Sequence, residues 1–293
     1  MTLLTEPFAF EFFRQGVLAS FFVGALCGML GVYIVLRRMS YIGHGLSHSV
    51  FGGAVVGYVA SLNFYLAAGL WGFLSALAIN ATARRRRIGA DAAIGIVTTA
   101  SFAVGVALIS KTRSFTRNFE AALFGNILGV TPADLLVVVA VTLAVAAFIA
   151  LFYKRLLFMT FDPDVAPIYG VNVGIVDSLF ALAMAATIVA SINVVGVTLI
   201  AATLVIPSTT ARLLTDSFAR MIVLSTIIGA VAGVLGMYVS YWLDISSGAT
   251  IVLLEAGTFL VALIGTTLAR RRPGWTDEAV TSLARDRVGD DLG

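Results

Sequence analysis

Two histidines stand four residues apart in a stretch rich in glycine and serine. His44 and His48 lie in Ser40-Tyr-Ile-Gly-His-Gly-Leu-Ser-His-Ser49, and the chain has no other histidine. Residues four apart share one face of an α-helix, so the two imidazoles can bind one metal ion together. Ser47 and Ser49 add hydroxyl groups. We treat His44 and His48 as candidate metal ligands, although spacing alone leaves open that both are ordinary packing residues.

The pattern around the histidines does not favour an enzyme. A zinc protease helix has Glu directly after its first histidine, and this chain has Gly45 there. An intramembrane metalloenzyme would also need a third ligand. The chain lacks the Gly-x-x-x-x-Gly-Lys-Ser/Thr phosphate-binding motif, so transport driven by ATP would require a separate ATPase chain. From these residues alone we predict no catalytic residues and no permanently bound cofactor.

Two acidic residues fall in apolar segments. Glu255 sits about a third of the way into the last apolar segment, and Asp91 opens an earlier one. Ionisable groups inside a membrane are costly and often functional, so Glu255 is a candidate path acid, or the proton carrier of a secondary transporter. A structural partner for Glu255 is the alternative. Asp91 is better explained as a residue that favours the positive end of a helix dipole.

These candidates need membrane helices to position them. Hydrophobic residues make up 59% of the chain, charged residues 12%, and the mean hydropathy is +0.99, whereas soluble domains average about 25% charged residues. Uncharged stretches of about 20 residues, enough to cross a bilayer, recur along the sequence. The sequence therefore predicts an all-α, polytopic transmembrane helix bundle with about 8–9 spans.

Basic residues set the predicted topology. Nine spans are expected, at residues 16–36, 41–61, 64–83, 90–110, 132–153, 175–191, 194–206 (stopping at Pro207), 220–242 and 249–269. Five basic groups fall on alternate span ends and are therefore predicted to be cytoplasmic: Arg37–Arg38, Arg84–Arg87, Lys154–Arg155, Arg212 with Arg220, and Arg270–Arg272. Lys111, Arg113 and Arg117 disagree. The net charge of +3 thus indicates topology and not nucleic-acid binding.

The same layout predicts the domains and several local features. Residues 1–272 are predicted to form the transmembrane domain, and residues 273–293 a polar cytoplasmic tail. Residues 5–14 suit a short helix in the membrane interface, and Phe124-Gly125-Asn126 could form a re-entrant turn. The Gly-x-x-x-Gly pairs at 24–28 and 229–233 predict close helix packing.

A long connector follows the fifth span. In Thr160-Phe-Asp-Pro-Asp-Val-Ala-Pro-Ile-Tyr-Gly170, Asp162 can cap a short helix, Pro163 suits its first turn and Gly170 ends it. A chain reversal needs only a few residues, yet about twenty lie between the two spans. We predict a docking element for a cytoplasmic partner, with a plain connector as the alternative. Its candidate contact residues are Asp162, Pro163, Asp164, Val165 and Tyr169.

The sequence resembles the membrane permeases of ABC importers for zinc, manganese and iron(II). The resemblance covers roughly residues 12–270, and its pieces occur in the family's order. The matching pieces are Val35-Leu-Arg-Arg-Met-Ser40, Gly45-Leu-Ser-His48, Asp91-Ala-Ala-Ile-Gly-Ile96, Phe124-Gly-Asn-Ile127, Phe161-Asp-Pro-Asp164, Val195-Gly-Val197 with Leu204-Val-Ile-Pro207, and Tyr238 to Gly248.

The resemblance implies a type II permease of the vitamin B12 importer kind, in the cytoplasmic (inner) membrane of a bacterium. Such a permease works as a pair of permease subunits, here expected to be a homodimer, over two cytoplasmic ATP-binding subunits. An extracytoplasmic solute-binding protein delivers the metal. The segment from Phe161 to Gly170 matches the coupling helix that contacts the ATPase.

The resemblance also bears on the metal. The family's histidine in the permeation path matches His48, whereas His44 stands where the family usually has Asp. Imidazole suits zinc and iron, and carboxylate suits manganese better, so zinc is the first expectation, manganese the second and iron the third. A siderophore or haem ABC permease, or a proton-coupled secondary metal transporter, is the alternative.

Overall fold

The structure is a computed structural model that describes residues 5–83, 90–112, 123–125 and 129–270. All regular structure in this part of the chain is helical, which confirms the predicted all-α bundle. A short 3₁₀ helix, Glu6–Ala9, comes first. The α-helices of the described residues are α1 (Glu11–Leu36), α2 (Ser40–Val59), α3 (Phe64–Ala83), α4 (Ala90–Thr112), α5 (Pro132–Phe161), α6 (Val173–Val195), α7 (Ile200–Leu214), α8 (Phe218–Leu243) and α9 (Ser247–Arg270).

Seven of the described helices are long and apolar enough to cross a membrane. The other two are α2, which has 20 residues but a more polar composition, and α7, which has only 15 residues. A polytopic bundle is therefore confirmed. The nine crossings and their orientation stay a prediction, because Arg84–Arg87 and the tail at 273–293 lie outside the described residues.

Helix α1 forms the centre of the bundle and packs most extensively on α8. The two predicted Gly-x-x-x-Gly pairs meet there. A methyl group added at Gly24 would overlap the backbone of Gly229, and one added at Gly28 would overlap the backbone of Ser225. Ser225 also donates a hydrogen bond to the Gly28 carbonyl at 2.6 Å. The prediction of backbone-to-backbone packing is confirmed at this crossing.

The prediction for the N-terminal residues is wrong. Residues 5–14 do not form one interface helix, because the extended backbone of Phe10 separates the 3₁₀ helix from α1. Helix α1 already begins at Glu11, where the fully buried Phe13 packs against Tyr238 and Tyr241 at ring distances of 5.1 and 5.2 Å. The alternating aromatic and charged pattern of these residues suggested the membrane surface. Tertiary packing instead makes some of them part of α1 and of the core.

Pro207 does not end its helix, contrary to the prediction, but lies inside α7. Proline removes one helical hydrogen bond, yet its fixed φ is compatible with a helix. The next residue, Ser208, contacts the Gly28 carbonyl at 3.2 Å and the Ser225 hydroxyl at 2.9 Å. These contacts with α1 and α8 help to hold the second half of α7 in place. The sequence instead predicted a span at 194–206, where Gly196, with φ of +87°, in fact separates α6 from α7.

The segment around Phe124 contacts the connection between α6 and α7. The Leu123 carbonyl accepts hydrogen bonds from the Thr198 backbone at 3.2 Å and from its hydroxyl at 2.6 Å. Gly125 has φ of +79° and packs on the backbone of Val194. Asn126, Arg113 and Arg117 lie outside the described residues, so the predicted re-entrant turn stays a prediction.

Candidate metal site

The two histidines lie one turn apart on α2 and face the same side. Their ring centroids are 4.7 Å apart, and the rings are nearly perpendicular, at 83°. Tyr41 precedes them on the same face, with its ring 6.0 Å from that of His44. The predicted pairing on one helix face is therefore present in the structure, and the pair is close enough for both rings to approach one metal ion.

The other sides of α2 carry glycines that pack tightly on neighbouring helices. A methyl group at Gly45 would meet Ile94 and Thr98 of α4, and one at Gly53 would meet Trp71 of α3. This packing buries most of α2, whereas His44 is exposed and His48 is half-buried. The helix thus presents the histidine pair outward from the bundle of a single chain.

Helix α4 partly encloses His48, and one nitrogen of the His48 ring is unpaired. The buried Nδ1 atom of His48 has no hydrogen-bond partner, and its ring lies 5.1 Å from that of Phe102 on α4. The Ser47 hydroxyl instead donates to the backbone carbonyl of His44 at 2.7 Å, and both Ser47 and Ser49 are fully buried. We find that the serines stabilise or pack the helix, while the imidazoles remain the groups suited to binding a metal.

The described part of one chain brings only the two histidines together as candidate ligands. Among the described residues, no three His, Cys, Asp or Glu side chains come together as a group that could hold a metal ion. Asp91 is exposed in the first turn of α4, as expected for a helix-start residue. Glu255 is not brought to the histidines either. It lies on α9, fully buried, beside Thr203 of α7 and Cys27 of α1.

The connector after α5 differs from the predicted short helix. Residues 163–170 form consecutive turns, and Asp162 ends α5 instead of capping a new helix. Because α5 continues to Phe161, beyond Lys154–Arg155, less chain is left for a separate helix. Ala166 is fully buried, whereas Ile168 and Tyr169 are 81% and 68% exposed. The Tyr169 ring stacks on Phe158 at 5.3 Å.

Two polar contacts between helices were not predicted. Arg37 pairs with Asp177 of α6 at 2.6 Å and lies over the Phe180 ring. The sequence signal for this ion pair was Asp177, an acidic residue near the start of an apolar span. At the other end of the bundle, Asp134 accepts hydrogen bonds from Tyr65 and from Asn193. Asp134 also forms a capping box with Thr131, and the Thr-x-x-Asp spacing could have predicted that cap.

Comparison with known proteins agrees with this architecture. The sequence profile of the ABC 3 transport family matches residues 9–266. The chain is 36% identical to the manganese transport system membrane protein MntC of Listeria monocytogenes, over 90% of this chain and 94% of that protein. It is 34% identical to the chelated iron transport system membrane protein YfeC of Yersinia pestis, over 89% of each chain.

A solved structure shares the fold. The chain superposes with a TM-score of 0.81 on PsaBC from Streptococcus pneumoniae in complex with Fab. The two sequences are 33% identical, and the match covers 89% of this chain and 94% of the other. The predicted type II permease fold is confirmed by this agreement.

Proposed function

The chain belongs to the ABC 3 transport family as a permease subunit of a metal-ion ABC importer, and we propose that it carries a divalent transition metal across the cytoplasmic membrane of a bacterium. The observation that carries the proposal is the His44–His48 pair, with ring centroids 4.7 Å apart on the outward face of α2. Neutral imidazole is a common ligand for such metals. A solute-binding protein would deliver the metal, and separate ATP-binding subunits would drive its release.

A second copy of this chain would complete the metal site. Two nitrogen ligands are too few for a zinc site, which takes four ligands in structural sites and three protein ligands in catalytic sites. A two-fold axis places the same surface of both subunits in contact, so it would bring a second His44–His48 pair towards the first. The exposure of His44 in one subunit supports this arrangement, in which four imidazoles surround the path.

Zinc is the first candidate metal. Two imidazoles on each subunit form a nitrogen-rich set, which suits zinc and iron(II) better than manganese, whereas carboxylates suit manganese. Manganese is the second candidate, because the relatives include proteins named as manganese transporters. Iron is the third, supported by the relatives named for iron transport.

The connector at 162–170 is the proposed ATPase contact. Ile168 and Tyr169 expose apolar surface beside the exposed acids Asp162 and Asp164. Lys154–Arg155 near the end of α5 favour a cytoplasmic location for this region by the positive-inside rule. Exposed apolar residues rimmed by charges are typical of a protein interface. Val165 is half-buried, so we assign the main contact to Ile168 and Tyr169.

The test is metal uptake by vesicles that contain the full importer, with zinc, manganese and iron(II) in competition. His44→Asp should shift preference towards manganese because it adds a carboxylate. Tyr41→Phe is the matched control, since it changes a neighbouring exposed side chain and leaves both imidazoles. An unchanged preference in His44→Asp would refute the ligand argument.

Uptake without ATP would favour a proton-coupled transporter, and uptake of chelated iron alone would favour a siderophore permease.

A further inference from the structure

Glu255 is a buried acid that the proposed metal path does not use. Its side chain is 0% exposed, and neither carboxyl oxygen has a hydrogen-bond partner. Helix α9, which carries it, has most of its remaining surface exposed outside the bundle. A carboxyl group buried in this way is costly unless its charge is neutralised or paired. The structure must therefore supply a counter-charge, or the carboxyl group must bind a cation.

The helices around Glu255 supply no counter-charge. Helix α9 packs on α6, α7 and α8, and the bundle-centre helix α1 lies behind them. Apart from Glu255 itself, the charged residues of these described helices lie only near the helix ends: Glu11 and Arg14 on α1, Asp177 on α6, Arg212 on α7, Arg220 on α8 and Arg270 on α9. Arg37 directly follows α1 and pairs with Asp177. The titratable group that lies beside Glu255 is the thiol of Cys27. A proton is the simplest cation that this apolar site can take.

Thr203 of α7 has polar atoms that could bond a protonated Glu255 carboxyl group. It is fully buried, and its hydroxyl has no hydrogen-bond partner of regular geometry. The neighbouring Thr209 and Thr210 instead donate to the carbonyls four residues before them, both at 2.8 Å. Pro207 has no N–H group, so the Thr203 carbonyl also lacks its usual helical donor. The Thr203 hydroxyl lies beside the carboxyl group of Glu255.

We propose that Glu255 is a proton-binding site inside each permease subunit, and that the bound proton keeps α9 docked against Thr203 of α7 and Cys27 of α1. As a neutral acid, the carboxyl group can donate a hydrogen bond to an acceptor on Thr203. Once ionised, it carries a charge that these four helices cannot pair, so the junction between α9 and α7 opens. This proposal does not depend on which metal the importer carries.

Cys27 is a native reporter of that junction. It is the only cysteine of the chain, is fully buried, and has its sulphur 3.9 Å from the Ser191 hydroxyl. A membrane-permeant reagent such as N-ethylmaleimide can reach this thiol only when the helices separate. The rate of Cys27 alkylation in the full complex, reconstituted in vesicles, therefore measures how often the junction opens.

The experiment compares wild type with Glu255→Gln from about pH 7 to about pH 10. The thiol's own ionisation also changes in this range in both proteins, so the ratio of their rates removes the part of that change that they share. We expect that ratio to rise by up to about tenfold per pH unit, because opening requires the loss of one proton. The side-chain amide of the Glu255→Gln variant has no such proton to lose, so opening of its junction should not depend on pH in this way. A ratio that stays constant across this range overturns the proposal.

Thr203 provides a second, independent variant. Thr203→Val should move the rise in alkylation to higher pH, because it removes the donor that could stabilise the ionised carboxylate. Thr210→Val is the matched control on the same helix, since its buried hydroxyl already bonds the Ile206 carbonyl, and it should follow wild type. If Thr203→Val also follows wild type, Thr203 is not part of the site. If Glu255→Gln fails to assemble, the alkylation rate of Cys27 in wild type is compared instead with the alkylation rate of a small free thiol at each pH. A ratio of these two rates that stays constant also overturns the proposal.

Discussion

Replacement of Ile168 and Tyr169 by glutamate should detach the ATPase from the permease. Both side chains project from the connector after α5, with exposed fractions of 81% and 68%. The connector beneath them is held in place, because Ala166 is fully buried and the Tyr169 ring stacks on Phe158. The double variant should therefore change the contact surface without unfolding the bundle.

The expected loss follows from the apolar surface that a partner could cover. Full burial of a large apolar side chain stabilises a complex by about 1.5–3 kcal/mol. Because most of Ile168 and Tyr169 is accessible, their removal should cost about 3–5 kcal/mol together, which weakens binding by roughly two to three and a half orders of magnitude. Charges introduced at a buried interface would add a desolvation cost.

Copurification of the ATPase with tagged permease, followed by ATP hydrolysis in vesicles, measures this loss. Leu214→Glu is the matched control, because Leu214 is apolar, 51% exposed and at the predicted cytoplasmic end of α7, but lies outside the connector. We expect the control to retain the ATPase. A double variant that copurifies with full ATPase activity, or a control that loses as much, would show that residues 162–170 are only a connector.

Three further outcomes are expected. His48→Ala should abolish metal uptake while the complex still assembles, as judged by size-exclusion chromatography; wild-type uptake would remove His48 from the path. Gly24→Ala should lower the stability of the α1–α8 crossing by about 1–3 kcal/mol in thermal unfolding, whereas Gly257→Ala should not, because a methyl group there meets nothing within 4 Å. A reporter fused after Arg272 should read as cytoplasmic, and an external reading would contradict the nine-crossing topology.

Periodicity and composition predicted helices well where one property dominated. Nearly uncharged runs of about 20 residues correspond to α1, α5 and α9, and the small-residue spacing at 24–28 and 229–233 marked a real helix crossing. These features are local, so the sequence contains them directly. The four-residue spacing of His44 and His48 likewise predicts one helix face wherever a helix forms.

Boundaries that depend on distant residues were not predictable in this way. Pro207 suggested a helix end, but the contacts of Ser208 with α1 and α8 help to hold α7 together beyond it. Phe13 resembled a membrane-surface residue until its contacts with Tyr238 and Tyr241 placed it in the core. Each case depends on a partner more than 150 positions away, which no local pattern identifies.

The composition of α2 argues for a protein partner on its histidine face. This helix contains five glycines, three serines and both histidines, and it is not among the seven helices apolar enough to span a membrane. In lipid, polar side chains without partners are costly, so such a helix needs protein or water on every side. Its glycines pack on α3 and α4 and His48 lies beside Phe102 of α4, whereas His44 is uncovered in one chain. The polarity that lowers the hydropathy of α2 is thus an argument that the His44–His48 pair lies between two subunits.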